Sequence, residues 1–398
     1  MNDFLNKLNK LDLEFSQLKP ELEVSVFDRK NKMEGYVVVW NTIHADDAPL
    51  GRAGKGGTRI TPTVSLDEVR MLARIMSLKN ASAGLPLGGA KSGLRADPNQ
   101  ENFEKTYKCF VSSVKNTLCE FGGLYGGFGF DLGAKPIHAK WAMEVLGSGK
   151  SFTGKTLDLG GTDYDREGLA GYGVAIAART WINETKQNIA NISCSIQGLG
   201  AMGAAVFRYF SEFGGKVHYI SDPRIGGTFK LKETLPKEFI ASITNMDFEE
   251  TKRLLPSVSQ SSLPLEAVLY QEVDINFPCA VQDVINVDNF NLIKSKALVE
   301  GANNPCSTEA RTKLFQKGIT VIPDFVANAG GIIAAYVEMT SKVSIEENVK
   351  TKANVIASKN MTEEKINANV SRMLKEADRL GVEPTLVARY FALERILS

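Results

Sequence analysis

Histidine is scarce in this 398-residue sequence: His44, His138 and His218 are all there is. His138 falls in a helical stretch and His218 in a strand-like run, so both are expected to be structural, and imidazole-centred chemistry has few candidates. The five cysteines (Cys109, Cys119, Cys194, Cys279 and Cys306) are scattered, with no Cys-x-x-Cys pair and no cysteine–histidine cluster. That pattern gives neither a disulfide framework nor a zinc-ligand set, so no metal is expected and a reducing compartment fits best. No apolar run approaches the ~18 residues of a membrane span. The start, Met1-Asn2-Asp3-Phe4-Leu5-Asn6-Lys7, lacks the basic-then-apolar order of a secretory signal, so a cytoplasmic protein is expected. An excess of one charge is missing too: 47 basic and 46 acidic side chains leave a net +1. Neither nucleic acid nor an anionic membrane is therefore an expected partner.

What is present is more chain than one core can use. Single cores stop growing near about 250–300 residues, so two domains are expected. Residues 1–20 read as an amphipathic helix, followed by strand-like runs at Glu23–Asp28 and Gly35–Trp40. A glycine-rich loop at Gly51–Gly57 enters a short strand at Thr58–Ile60. Ser65-Leu66-Asp67-Glu68 reads as a capping box, with Ser65 as N-cap and Glu68 reaching back. The spacing of Val69, Leu72, Met76 and Lys79 then predicts one core-facing helical stripe that ends on a lysine. The run Leu85-Pro86-Leu87-Gly88-Gly89-Ala90-Lys91-Ser92-Gly93 reads as a loop in which glycine lets the backbone approach a ligand. A lysine held there among other cations, Lys55 and Lys79, is pushed toward a lowered pKa, as acid/base or carbonyl chemistry requires. Helices are expected at 101–121 and 135–147, with the glycine-rich run Gly122–Asp131 between them. The Gly/Ser/Thr-rich stretch 148–163 reads as a linker.

From Asn191 onward, strand-like runs at 192–197, 217–220, 273–277, 297–299 and 319–322 alternate with helical stretches, which predicts a parallel doubly wound sheet. Gly198-Leu199-Gly200-Ala201-Met202-Gly203 fits the dinucleotide fingerprint, with a strand before it and a helix after it. Asp222 closes the next strand about 20 residues on, where an acid binds a ribose 2′-hydroxyl. It favours NAD slightly, whereas Arg224 is able to receive a 2′-phosphate, so NAD and NADP both stand as cofactors. A rival motif, Gly149-Lys150-Ser151-Phe152-Thr153-Gly154-Lys155-Thr156, matches the phosphate-binding loop of nucleotide triphosphatases. A helix leads into it instead of a strand, so it is read as part of the linker. The tail from about 333 to 398 reads as helical.

Taken together, Lys55–Arg59, Met76–Ala81, Pro86–Gly93, the fingerprint, Val299–Asn303 and Pro323–Gly331 resemble the glutamate/leucine/phenylalanine/valine dehydrogenase family, closest to the glutamate enzymes. The resemblance implies an α/β substrate domain (1–150), a Rossmann-type domain (151–334) and C-terminal helices returning to the first domain (335–398). It implies NAD(P)-dependent, reversible deamination of an L-amino acid to a 2-oxo acid and ammonium, in a homo-oligomer such as a hexamer. Lys91 would be the catalytic lysine and Asp131 its proton-transfer partner. Lys79 would hold the α-carboxylate, Asn328 would lie at the amino-acid site, and Asn303 would lie near the cofactor. Lys55 stands where glutamate enzymes bind the side-chain carboxylate, and Arg166 sits where they carry an arginine, which would make it a further substrate-binding residue. A buried lysine without an anion is costly, so Lys55 argues for glutamate. Two departures leave branched-chain or aromatic substrates, and a catalytically weak regulatory member, as alternatives: Ala335 replaces a serine that touches that carboxylate, and Ala170 replaces a threonine near the nicotinamide.

Overall fold

The computed structural model describes residues 2–42 and 49–398, so His44 lies outside the described residues. The chain is a mixed α/β protein whose contacts divide it into two compact units. One unit holds 2–164, 332–358 and 389–398, and the other holds 165–331 and 359–388.

The N-terminal part runs α1 (Asn2–Gln17), β1 (Leu22–Asp28), β2 (Met33–Val39), β3 (Gly54–Lys55), β4 (Thr58–Thr61), α2 (Leu66–Ser82) and β5 (Gly88–Arg95). Then come α3 (Phe103–Val114), β6 (Phe128–Gly129), α4 (Pro136–Leu146) and β7 (Phe152–Thr153). The lysine-bearing run expected as a loop is instead β5, a buried strand with β2 antiparallel on one side and β3 and β4 parallel on the other. Its glycines serve close packing. A Cβ on Gly89 would lie 2.1 Å from Ser77 Oγ and 2.4 Å from the Ala73 carbonyl oxygen, so only glycine lets α2 rest on the strand.

That approach also explains a shift in α2. Its buried line is Val69, Ala73, Ser77 and Asn80, one position round from the expected stripe, because small residues face the glycines. Lys79 flanks this line, half-buried. Alternation along β5 sends Ala90 and Leu94 into a core with Phe103, Tyr107 and Phe110 of α3, while Lys91 takes the α2 side.

His138 is buried in α4 between the rings of Tyr107 and Trp141, and burial depresses its pKa to about 4, which fits the structural role expected of it. In the stretch read as a linker, Lys155 is buried against Glu338 and donates to the Phe152 carbonyl, so it is not held as a phosphate-loop lysine.

The second unit opens with α5 (Leu169–Glu184), β8 (Ser193–Gln197), α6 (Ala201–Glu212) and β9 (Lys216–Asp222). It continues with β10 (Gly227–Leu231), α7 (Lys237–Thr244), α8 (Phe248–Val258), β11 (Ser259–Leu263), β12 (Ile275–Pro278), β13 (Ala297–Val299), α9 (Thr308–Gln316), β14 (Thr320–Ile322) and α10 (Asp324–Ala327). The sheet order is β11-β10-β9-β8-β12-β13-β14, parallel from β9 through β14 as the sequence predicts, which makes this a Rossmann-type unit. The antiparallel edge β10–β11 is an addition that polar Ser259–Leu263 gives no periodicity to reveal.

The C-terminal helices are α11 (Gly330–Thr340), α12 (Ile345–Thr351), α13 (Ala353–Leu380) and α14 (Pro384–Leu397). They divide between the units. Glu363 accepts from Tyr172 and Arg179 of α5, whereas Asn348 donates to Gly161 and Arg389 pairs with Asp12. None of the described helices is long and apolar enough to cross a membrane.

Candidate active site

Strand register assembles the cations of the N-terminal unit. Lys55 pairs with Gly89 and Arg59 with Gly93, so Lys55, Lys91 and Arg59 occupy successive rungs of one parity along β5. Lys91 is 6 % exposed, and its Nζ lies 3.0 Å from Oδ2 of Asp131. Burial pushes the Lys91 amine down, only partly opposed by the Asp131 charge. Burial works to raise the Asp131 carboxyl, but Lys91 and Arg59 together outweigh it and hold the group below its ordinary range.

Lys55 is 1 % exposed, and its ammonium donates to the carbonyl oxygens of Gly127 (2.7 Å) and Phe128 (2.6 Å). Burial brings it down to about 7, with Glu338 working the other way. Two carbonyls use two of its three donors and leave one for an anion. A Cβ on Gly126 would lie 3.5 Å from Lys55 Cδ and 3.1 Å from the Met339 methyl. Ala335, buried in α11, lies one turn before Met339 on the same helical face. Beside Lys79, Asn80 donates to the carbonyls of Lys55 and Gly88 and so fixes α2 to both strands.

In the second unit the fingerprint forms the turn from β8 into α6. Gly198 takes a φ of 85°, and a Cβ on Gly203 would lie 1.7 Å from the Gly198 carbonyl oxygen. Gly200 supplies no side-chain cap, so the first amides of Ala201 and Met202 are left for an anion. These residues fit a dinucleotide pyrophosphate.

Asp222, expected at a cofactor ribose, is hydrogen-bonded within the chain. It is 2 % exposed, and all its acceptor positions are taken. Oδ1 accepts from the Arg224 amide and Nε, and Oδ2 accepts from the Leu199 amide and Arg224 Nη2. Arg224 itself is half-exposed and stacks 3.6 Å from the ring centroid of Phe248.

Asn328 donates to the Gly301 carbonyl (3.0 Å) and to Asn303 Oδ1 (3.2 Å), leaving its own Oδ1 buried without a partner. A buried ion pair fixes these loops: Arg311 forks onto Glu300, which also accepts from the Asp324 amide, and Asp324 in turn accepts from the Asn304 amide. Arg166 is exposed in a shallow hollow with Ala201, Ala204 and Arg208, in the fingerprint unit and not the unit of Lys55. Sequence reading missed Arg59 and Glu68 beside Lys91 and Asp131, and, in the second unit, the Arg311–Glu300 pair. Strand register and the placement of α2 bring the first two together, and the placement of α9 makes the last pair.

Residues 160–397 match the Glutamate/Leucine/Phenylalanine/Valine dehydrogenase family, and residues 20–141 match the Glu/Leu/Phe/Val dehydrogenase dimerisation domain. The chain is 32 % identical over 325 residues to the NADP(+)-dependent glutamate dehydrogenase of Pyrobaculum calidifontis, covering 77 % of this chain and 75 % of that one. It is 33 % identical over 299 residues to the NADP-specific glutamate dehydrogenase of Saccharolobus shibatae, covering 73 % and 68 %. Among solved structures it resembles the hetero-hexameric glutamate dehydrogenase of Thermus thermophilus in its Leu-bound form, with a TM-score of 0.75 at 25 % identity over 99 % of this chain and 94 % of that one. A fingerprint turn in a Rossmann-type unit, in the other unit a buried strand lysine paired with an aspartate, and matches that run through both units lead to one assignment: this chain belongs to the glutamate/leucine/phenylalanine/valine dehydrogenase family.

Proposed function

We propose that the protein catalyses reversible, NAD(P)-dependent oxidative deamination of L-glutamate to 2-oxoglutarate and ammonium. The observation that carries this reading is buried Lys91, paired with a partly buried Asp131, two rungs from a buried Lys55 with a spare N–H donor. When bound, the nicotinamide cofactor accepts the hydride from the amino-acid Cα.

Lys91, desolvated and easily deprotonated, takes a proton from the water that attacks the resulting imine carbon. Asp131, 3.0 Å away, carries protons to and from the departing amine, which leaves as ammonium when the carbinolamine collapses. Lys79 holds the α-carboxylate. The unpartnered Oδ1 of Asn328 accepts from the substrate ammonium, and Asn303 sits toward the cofactor. Lys55 receives the side-chain carboxylate, beside Ala335, and Arg166 adds charge to substrate binding. Initial rates across a panel of amino acids test the reading, and a preference for an apolar amino acid would remove glutamate.

The cofactor reading favours NADP. The expectation of NAD rested on Asp222, whose acceptor positions are filled by Leu199 and Arg224. Arg224 spends its Nε/Nη2 side on Asp222 and keeps its outer fork for a 2′-phosphate. The NADP-dependent relatives agree. The dimerisation-domain match and a hetero-hexameric structural relative support assembly into an oligomer, which we take to be a homo-oligomer such as a hexamer. Work in the cytoplasm is supported by five cysteines that are all unpaired.

A further inference from the structure

We infer that Arg59, anchored by Glu68, is a positioning residue that fixes the Asp131 carboxylate against Lys91. The inference rests on the proposed dehydrogenase chemistry and adds two residues to it. Arg59 stands on β4 opposite Gly93, and Lys91 lies two residues earlier on β5, so the two side chains are diagonal neighbours on one face. Both reach the same oxygen: Arg59 Nε lies 2.9 Å and Lys91 Nζ 3.0 Å from Asp131 Oδ2.

The other end of the guanidinium is held as well. Arg59 Nη1 donates to Glu68 Oε1 at 2.7 Å. Glu68 was expected to reach back to Ser65 as the second half of a capping box. Its amide does receive the Ser65 hydroxyl oxygen as acceptor, but its carboxylate goes to Arg59. The first turn of α2 therefore gives up half of a local cap to hold an arginine over the strand. Arg59 is about one-fifth exposed and Glu68 about one-third, so both charges act through a partly shielded medium.

The arrangement orders the charges around Lys91. The groups that act on it are Asp131 from the segment after β6, Arg59 from β4, Glu68 from α2 and Lys55 from β3. Asp131 and Glu68 favour the ammonium, while Arg59 and Lys55 oppose it. Arg59 thus does two things. It orients Asp131 so that one oxygen faces Lys91, and it keeps Lys91 from binding its proton too tightly beside that carboxylate.

The test is the pH profile of kcat/KM for oxidative deamination, with kcat and KM measured separately for the wild type, Arg59→Met, Arg59→Lys and Glu68→Gln. Lys91 must be neutral to act as base, so kcat/KM rises through its titration. Arg59→Met removes a repelling cation and moves that limb to higher pH by about one unit. It lowers kcat ~10- to 100-fold through the loosened Asp131, with both KM values little changed. Arg59→Lys recovers most of kcat. Glu68→Gln removes a charge that favours the ammonium, so its limb moves the opposite way while kcat falls less. If Arg59→Met does not fold, the Glu68→Gln profile decides alone. Limbs that stay at the wild-type position, or a loss carried by KM, overturn the inference while leaving the dehydrogenase reading intact. A wild-type protein without amino-acid dehydrogenase activity overturns that reading first.

Discussion

Lys91 Nζ lies 3.0 Å from Asp131 Oδ2, with Lys91 fixed on β5 and Asp131, in the segment after β6, held in turn by Arg59 of β4. A rigid strand fixes the direction of the amine, and burial keeps its proton loosely held. Replacing Lys91 with alanine is expected to lower kcat by ~10³-fold or more. Binding of NADPH, followed by its fluorescence, should stay within a few-fold of wild type. Unchanged turnover would sink the assigned chemistry.

Lys55 gives a pH signature. With its amine near 7, it is mostly neutral in the free protein at pH 8, and a bound carboxylate favours the ammonium. Binding of glutarate, an unreactive dicarboxylate, should therefore take up a proton at pH 8 and not at pH 5.5. Affinity should fall as pH rises above 7, by up to about tenfold per pH unit. Calorimetry in buffers of different ionisation enthalpy reads the proton directly. The uptake should vanish in Lys55→Met, and an identical uptake in that variant would remove Lys55 from the carboxylate site.

Ala335 offers a gain-of-function test. A hydroxyl on the face of α11 that carries Met339 would add a hydrogen bond to a charged group, worth about 1.5–3 kcal/mol. Ala335→Ser should lower KM for glutamate roughly tenfold or more and leave apolar amino acids unaffected. An equal effect on leucine would mean that the helix has shifted and no bond to the carboxylate has formed.

Cofactor choice should turn on Arg224. Removing its outer fork in Arg224→Met is expected to cut kcat/KM for NADP by about 10- to 100-fold, the worth of hydrogen bonds to a charged phosphate. NAD should lose little. Equal losses with both cofactors would show that Arg224 serves only to hold Asp222 against the Leu199 amide.

The buried Lys155–Glu338 pair is expected to be a stability element. Glu338 accepts from the amides of Gly154, Lys155 and Thr162 and so fastens the segment after β7 to α11. Glu338→Gln leaves the Lys155 ammonium buried without a counter-charge and should cost about 3–5 kcal/mol in denaturant unfolding. A loss below 1 kcal/mol would mean that water reaches the pair.

Much of this protein is determined by the sequence alone. Apolar runs mark the strands of the Rossmann-type unit, because parallel strands covered on both faces are largely apolar. Glycine spacing marks the fingerprint turn, because the positive φ of Gly198 and the close approach of Gly203 to the Gly198 carbonyl admit no side chain. Other features are decided only in three dimensions. Glycines at 88, 89 and 93 read locally as a loop, yet they form a central strand because α2 needs the missing side chains at 89 and 93 and the backbone at Asn41 needs the one at 88. Glu68 follows local capping rules until β4 presents Arg59, a stronger partner than a backbone amide. Asp222 stands at the right spacing for a ribose, but its acceptors are used within the fold. The C-terminal helices show buried faces in sequence without showing which unit buries them. Periodicity and spacing record what each segment requires of its own surroundings. Which charge meets which is settled by strand register and helix placement, and these depend on residues far apart in the chain.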